Sequence, residues 1–508
     1  MINIIYIPLD ERPCNALYPI EAAKVAKNLD ILSPTKDLFG YKKNAGKVEQ
    51  LWKFIDKHSY LADAAVLSTE MLLYGGLVPS RIHYLNNIEI EKYENNIREL
   101  KRKCPSLKLY ISNLIMRTPR YNSSDEEPDY YAEHGENIFK YGWLIDKQAR
   151  ISLNEDEEQE LEFIKQEIPQ EYIDDYEGRR KFNLSVNEKN IQLVKEGIID
   201  FLVIPQDDSA EFGYTAIDQN IVYQKINLQQ LNDKIMVYPG ADEVGWTLLA
   251  RAYNEKKQRA PKVFSFFSST LGPTIVPLYE DRIMNESLKA HIMAAGCLSV
   301  TNIEDCDFVL AYNTPGKFMQ ESWDQFTKKD ITYTTYRHLL SFVEKIEGYI
   351  LQGKPVILCD SAFANGGDLE LLQLLDKKRI LANLTSYKAW NTNCNSLGSS
   401  LSAGIFAMEN PNTEQIKQNI LMHVYEDSFY QSIIRMDLTE ALLPQLKINY
   451  FDLDNKSKQV LEVIKDETIK YHKIYLSNSF PSTDSIEVKL ETPWNRMFEI
   501  YCAVQINN

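Results

Sequence analysis

At 508 residues the chain has room for one large barrel with additions, or for two to four ordinary domains. Its 44% hydrophobic and 25% charged content is that of a soluble globular protein, and a net charge of −16 argues against a nucleic-acid partner, because phosphate binding needs clustered Lys and Arg. No uncharged apolar stretch approaches the ~20 residues of a membrane span, and the first residues read as a strand with no basic leader, so the expectation is a cytoplasmic protein with no membrane partner.

In chain order, Ile2–Ile7 is an Ile-rich run broken only by Asn3, the pattern of a strand buried on both faces. Val48–His58 has helical spacing, with Leu51, Trp52 and Ile55 on one side. Ala64–Leu67, a helix from about Ile90 to Arg102 and the run Leu109–Ile115 continue the alternation, which is the βα signature of a parallel sheet. The regularity stops between about 121 and 197, where charged helical sequence predicts an insertion: a lid, an oligomer contact or a solvated buttress. It resumes with Phe201–Ile204, Ile235–Tyr238, Lys262–Phe267, Cys297–Thr301, Phe308–Tyr312, Val356–Cys359 and Leu381–Thr385, separated by helical stretches. About nine strand candidates in some 400 residues predict a (β/α)8-like barrel with one strand outside it, the alternative being doubly wound parallel sheets in two lobes. The expected domains are an α/β barrel-like catalytic domain over 1–408 and a mainly helical domain with a β-like tail over 409–508.

A polar cluster follows most of these apolar runs. Carboxyl ends of parallel strands share one rim, so such clusters converge on a cleft. Gln206-Asp207-Asp208 is the sharpest. Adjacent carboxylates repel if both are ionised, so in a shared site one keeps its proton near neutral pH and serves as general acid beside a charge-stabilising partner. The plain alternative is a loop in which Asp208 caps a helix. Asp242-Glu243 follows Gly240, whose backbone freedom would aim the pair as base or nucleophile; acids in a helix's first turn are the plain alternative.

Further candidates would hold the substrate. Asp10, Glu11, Arg12 and Asn15 follow the first strand, with Arg12 equally suited to an ion pair within that group. Glu70 and Arg81 flank Tyr74-Gly75-Gly76-Leu77-Val78-Pro79-Ser80, which lacks the spacing of a phosphate loop. Asn365 and Asp368 suit vicinal hydroxyls, although Asp368 also reads as the cap of the helix from Leu369. Trp390 and Asn391 offer an indole plane and an amide for a sugar, against core packing of the indole.

The seven cysteines are scattered, odd in number and without a C-x-x-C pair, which argues for reduced thiols and against structural zinc. No H-E-x-x-H, G-x-S-x-G or G-x-G-x-x-G pattern appears where its chemistry would need it. No cofactor is expected, although Asp207, Asp208 and Asp242 have the oxygen chemistry of a divalent-cation site.

Two resemblances add to this reading. The acid pair after the fourth strand is similar to that of barrel N-acetylhexosaminidases, in which one acid protonates the leaving oxygen and its neighbour orients the substrate's acetamide as nucleophile. Pro-Leu-Asp-Glu-Arg-Pro-Cys-Asn at 8–15, Tyr-Gly-Gly-Leu-Val-Pro-Ser-Arg at 74–81, Gln-Asp-Asp at 206–208, Pro-Gly-Ala-Asp-Glu at 239–243, Ala-Asn-Gly-Gly-Asp at 364–368 and Trp-Asn-Thr at 390–392 together resemble a bacterial family catalogued as a domain of unknown function. That resemblance reaches Pro493-Trp494-Asn495-Arg496, implies an enzyme-like protein of this length, and carries no catalytic residue with it. The expected function is a hydrolase of small glycosides, on an N-acetylated amino sugar by the first resemblance, with a homo-oligomer compatible. A metal-dependent hydrolase or lyase using the same acids, and a non-catalytic carbohydrate-binding protein, are the rivals.

Overall fold

The computed structural model describes residues 1–410, 413–483 and 485–506. Strands β1 (Ile2–Ile7), β2 (Leu29–Leu32), β3 (Ala64–Ser68), β4 (Lys108–Ser112), β5 (Phe201–Gln206) and β6 (Ile235–Pro239) form one sheet in the order β2-β1-β3-β4-β5-β6. The pairings from β1 to β6 are parallel, with Ile5 opposite Ala65, Val66 opposite Tyr110, Ser112 opposite Val203 and Ile204 opposite Val237. Both faces of β3 and β5 are buried along their whole length, as the continuous apolar runs require, whereas the edge strand β2 is half-exposed.

The chain then supplies β7 (Lys262–Phe267), β8 (Leu298–Val300), β9 (Phe308–Asn313), β10 (Gln320–Glu321), β11 (Val356–Asp360), β12 (Phe363–Ala364) and β13 (Ser386–Lys388). Five of these make a second parallel sheet in the order β13-β11-β9-β7-β8, while β10 and β12 pair with each other. The last two strands, β14 (Ile486–Glu491) and β15 (Tyr501–Ile506), form an antiparallel ribbon.

Neither sheet closes. The eight-stranded barrel expected from the strand count is replaced by two open parallel sheets, the arrangement held as the alternative. The reason is physical: a strand buried on both faces and followed by a helix has one sequence pattern in a barrel and in an open sheet. Closure depends on whether the last strand pairs with the first, which no local pattern encodes. Each sheet reverses its strand order once, between β1 and β3 and between β7 and β9, and ligands of open α/β sheets bind outside the strand ends at such reversals.

Contacts divide the chain into two units. The first comprises Met1–Glu11, Asp30–Ala252 and Tyr279–Asp281; the second comprises Arg12–Leu29, Tyr253–Leu278 and Arg282–Asn508. The segment after Met408 therefore packs within the second unit, as the helices Glu414–His423 and Ser457–Tyr475, the π-helix Val424–Ile434 and the β14–β15 ribbon. Among the described residues no helix is long and apolar enough to cross a membrane.

In the first unit the insertion between β4 and β5 forms three helices, Tyr131–Arg150, Glu155–Glu167 and Gln170–Lys195. Though charged, it has an apolar core of its own: Ile138, Leu144, Leu161, Ile164 and Ile173 pack with Tyr131, Tyr176 and Tyr214. The long helix turns a polar row, Asn183, Asn187 and Asn190, toward the loops that leave β3 and β4. Their spacing of four and three residues puts them on one face. Asn183 Nδ2 donates to the Ser80 carbonyl at 3.0 Å and Asn187 Nδ2 to the Asn113 carbonyl at 3.2 Å. Asn190 Nδ2 donates to Thr69 Oγ1 at 3.2 Å and Asn113 Oδ1 at 3.0 Å, and its Oδ1 accepts from the Tyr93 hydroxyl at 3.1 Å. Asn190 is fully buried, so Asn190→Ala leaves several polar groups unsatisfied and should lower unfolding stability by about 2–3 kcal/mol in urea titrations. Lys181→Ala, on the exposed side of the same helix, should stay within about 0.5 kcal/mol.

Candidate functional site

The site of the first unit lies on loops at the carboxyl ends of its strands. Leu9, Leu77, Leu114 and Ala241, from the loops after β1, β3, β4 and β6, pack as one apolar cluster. Those loops thus meet, and they carry Asp10, Arg81, Arg117 and Asp242.

Arg81 sits on the short helix Pro79–Ile82, and its side chain is only 1% exposed. Its guanidinium donates to Asp207 Oδ2 at 2.6 Å, Glu126 Oε2 at 2.9 Å and Glu127 Oε1 at 3.2 Å. Arg117, just past β4, donates to Glu127 Oε1 at 2.9 Å and Glu126 Oε2 at 3.1 Å, and lies 3.6 Å from Asp208 Oδ2. The insertion's long helix braces both arginines from behind, because Arg180 bonds the Met116 and Arg117 carbonyls while Asn183 holds Ser80.

Four carboxylates thus surround two guanidiniums, and two of the carboxyls are raised. Burial pushes the Glu127 carboxyl up against the pull of Arg81 and Arg117. Burial and the charge of Asp207, with a smaller contribution from Asp242, push Asp208 up to about 6, although Arg117 and Arg81 oppose the shift. The Asp208 side chain still keeps 37% of its surface in solvent, against 14% for Asp207. Its backbone is left-handed, with φ of 45°, a conformation costly for a residue with a Cβ and concentrated at functional sites. Asp208 caps no helix: the next one, Tyr214–Gln229, starts six residues on.

The remaining candidates of this unit have separate partners. Glu70 is buried; its oxygens accept from Asn113 Nδ2 and Leu114 N at 2.9 Å each and from Ser68 Oγ at 3.1 Å, and burial raises its carboxyl. Glu11 accepts from the Lys42 amide at 2.7 Å, and Asp10 is buried. Glu243 bonds Thr247 one turn along, in the first turn leading to the helix Val244–Lys256. A pocket of about 790 Å³ starts at Ala210 and Glu211 and is lined further by Gln219, Asp281, Asp146 and Arg150; neither acid of the pair lines it.

Arg12, Asn15, Asn365, Asp368, Trp390 and Asn391 belong to the second unit. There Asp360, at the end of β11, accepts from Asn313 Nδ2 at 2.8 Å, the Asp368 amide at 2.8 Å and the Tyr387 hydroxyl at 3.1 Å. Burial and the charge of Asp368 push its carboxyl up to about 7. Asp368 caps the helix Leu369–Lys377 through the Glu370 and Leu371 amides and takes a 2.6 Å ion pair from Arg337. Asn365 bonds Glu321 Oε2 at 2.9 Å, and its amide donates to the Asn391 carbonyl at 2.8 Å; both asparagines are left-handed. Trp390 is buried, and its indole Nε1 has no hydrogen-bond partner. The Arg12 guanidinium lies 5.0 Å from the centre of the Trp494 ring and that of Arg496 lies 4.3 Å from it, while Asn15 is buried in the short helix Pro13–Ala16.

Sequence reasoning missed Glu126 and Glu127, hidden in an irregular charged stretch; their signal is an acid pair placed just before Pro128. It also missed His423, Glu426 and Asp427, whose spacing of three and four residues on a helical segment was legible. Among the described residues these three form the group with metal-ligand spacing, and Asp207, Asp208 and Asp242 form none.

The fold and its strand-end loops define an α/β protein built on two open parallel sheets, each with a polar network at its rim. The chain matches the family described as Protein of unknown function (DUF4127) over residues 4–503 and belongs to it. Among curated proteins, none matches it.

The charge of Asp207 adds to burial in raising the Asp208 carboxyl. Carboxyl NMR should give wild-type Asp208 an apparent pKa about 6, and Asp207→Asn, by removing the like charge, should move it down toward the ordinary carboxylate range.

Proposed function

We propose that the chain is a hydrolase of small glycosides, with its acid–base site at the carboxyl end of β5. The observation that carries this reading is the split between two adjacent carboxyls: Asp207 is ion-paired to Arg81, while Asp208 holds its proton up to about 6 and reaches solvent. Such a pair supplies an acid and a fixed negative charge within one loop. Asp208 gives its proton to the glycosidic oxygen as the bond to the anomeric carbon breaks. The substrate's own acetamide oxygen takes up the charge left on that carbon, with Asp207 oriented by Arg81 to hold the acetamide N–H. Water then opens the intermediate and returns a proton to Asp208. This scheme favours an N-acetylated amino sugar.

All seven cysteines are buried thiols outside any disulfide, which fits a reducing compartment and a cytoplasmic protein.

The test is a screen against chromogenic glycosides that includes N-acetylhexosaminides. Wild-type kcat should fall as the pH rises through about 6, where Asp208 loses its proton. Asp208→Asn should lower kcat by about 10²- to 10⁴-fold with the fold intact by circular dichroism. Full activity in the Asp207→Asn, Asp208→Asn double variant, or saturable sugar binding with no turnover of any glycoside, rejects the proposal.

A further inference from the structure

A second set of buried polar groups lies in the other unit, at the carboxyl end of β13. The helix Glu414–His423 runs into the π-helix Val424–Ile434, and at the junction stand His423, Glu426 and Asp427. One ligand atom from each lies within 4.8 Å of the others. His423 Nδ1 is 3.2 Å from both Asp427 oxygens, and Asp427 Oδ2 accepts from the Ala389 amide, the first residue past β13, at 2.9 Å. π-Helical stretches are rare and occur frequently at functional sites, because the wider turn re-aims side chains an α-helix would spread. All three residues are buried. Glu426 is bonded by Tyr18, yet its Oε2 is buried with no hydrogen-bond partner. A buried carboxylate with an oxygen that lacks a hydrogen bond, grouped with an imidazole and a second carboxylate, has the chemistry of a cation site.

We propose that His423, Glu426 and Asp427 hold one divalent transition-metal ion. An imidazole with two carboxylates selects zinc, manganese or iron(II) over magnesium and calcium, which prefer all-oxygen sets. The Ala389 amide and the Tyr18 hydroxyl act from outside the ligands, each fixing one carboxylate. Lys388, buried at the end of β13, is the amine that would compete for the same acids: burial pushes it down to about 7, against the pull of Asp427 and Glu426. It occupies the neighbourhood in place of the metal or stands beside it, and the experiment separates the two.

Purified full-length protein is stripped with a chelator and titrated with Zn²⁺, Mn²⁺ and Co²⁺, with stoichiometry read by mass spectrometry of the metal and coordination by the visible absorption of bound Co²⁺. One ion per chain is expected, with micromolar or tighter affinity. His423→Ala and Asp427→Asn should each weaken binding at least 100-fold and abolish the Co²⁺ spectrum. Lys388→Met should bind as tightly as wild type or more so. Asp207→Asn with Asp208→Asn, in the other unit, should keep the ion, so the metal and glycosidase readings fail independently. No binding by the stripped wild type tighter than millimolar overturns the proposal even if the ligand variants do not fold. Equal binding by folded His423→Ala, or loss of the ion in the Asp207/Asp208 variant, overturns it too.

Discussion

A guanidinium taken out of water has to be surrounded by acids, and the rim of the first sheet is organised by that requirement at Arg81. Its partners come from two distant parts of the chain, the loop at Glu126 and Glu127 and the loop at Asp207. Charge therefore places these loops where apolar packing has little to grip. Arg117 repeats the arrangement, so each of the two glutamates is bound twice. Burial, with repulsion among so many carboxyls added to it, raises the Glu127 and Asp208 carboxyls above their ordinary range. The pairing of Asp207 and the raised Asp208 carboxyl belong to one cluster of charge. Arg117 and Arg81 lower the Asp208 carboxyl by less than burial and the charge of Asp207 raise it.

The two sheets share a winding order. In each, the second strand lies on one side of the first and the third on the other, so both have a reversal point at which loops diverge and leave a crevice. In the first sheet the loop after β1 carries Asp10 and Glu11, and the loop after β3 carries Glu70. In the second, Ser268 past β7 bonds Thr314 past β9, and Asn313, Asp360, Asp368 and Arg337 bond one another nearby. Repeated topology does not repeat the chemistry. The first rim is open at Asp208, whereas the second is buried and internally satisfied at Asp368.

The strands buried on both faces were legible because such burial produces continuous apolar runs, whereas the half-exposed edge strand β2 was not, and the polar clusters were legible because they follow those runs. The errors have physical causes. Leu381–Thr385 has the composition of a strand, yet Leu381–Asn383 is a 3-10 turn and the strand is Ser386–Lys388, where tertiary pairing with β11 outweighs local propensity. The barrel failed because closure is non-local. The Asp207–Asp208 split was legible as like-charge repulsion, but the arginines that resolve it lie 126 and 91 positions away, beyond any spacing argument. Asp368 and Glu243 carry the capping and first-turn bonding that compete with every functional reading of an acid next to a helix.

The π-helix at Val424–Ile434 has a consequence for how this protein tolerates change. A π-turn holds one residue more than the α-turn it replaces, so the segment carries surplus chain that its hydrogen-bond ladder has absorbed. Loss of a single codon there would not break the helix. It would let the ladder return to the commoner register around the lost residue, so that the chain beyond Ile434 keeps its place while the side chains next to the loss change neighbours. Stability and side-chain placement pull in opposite directions along these eleven residues.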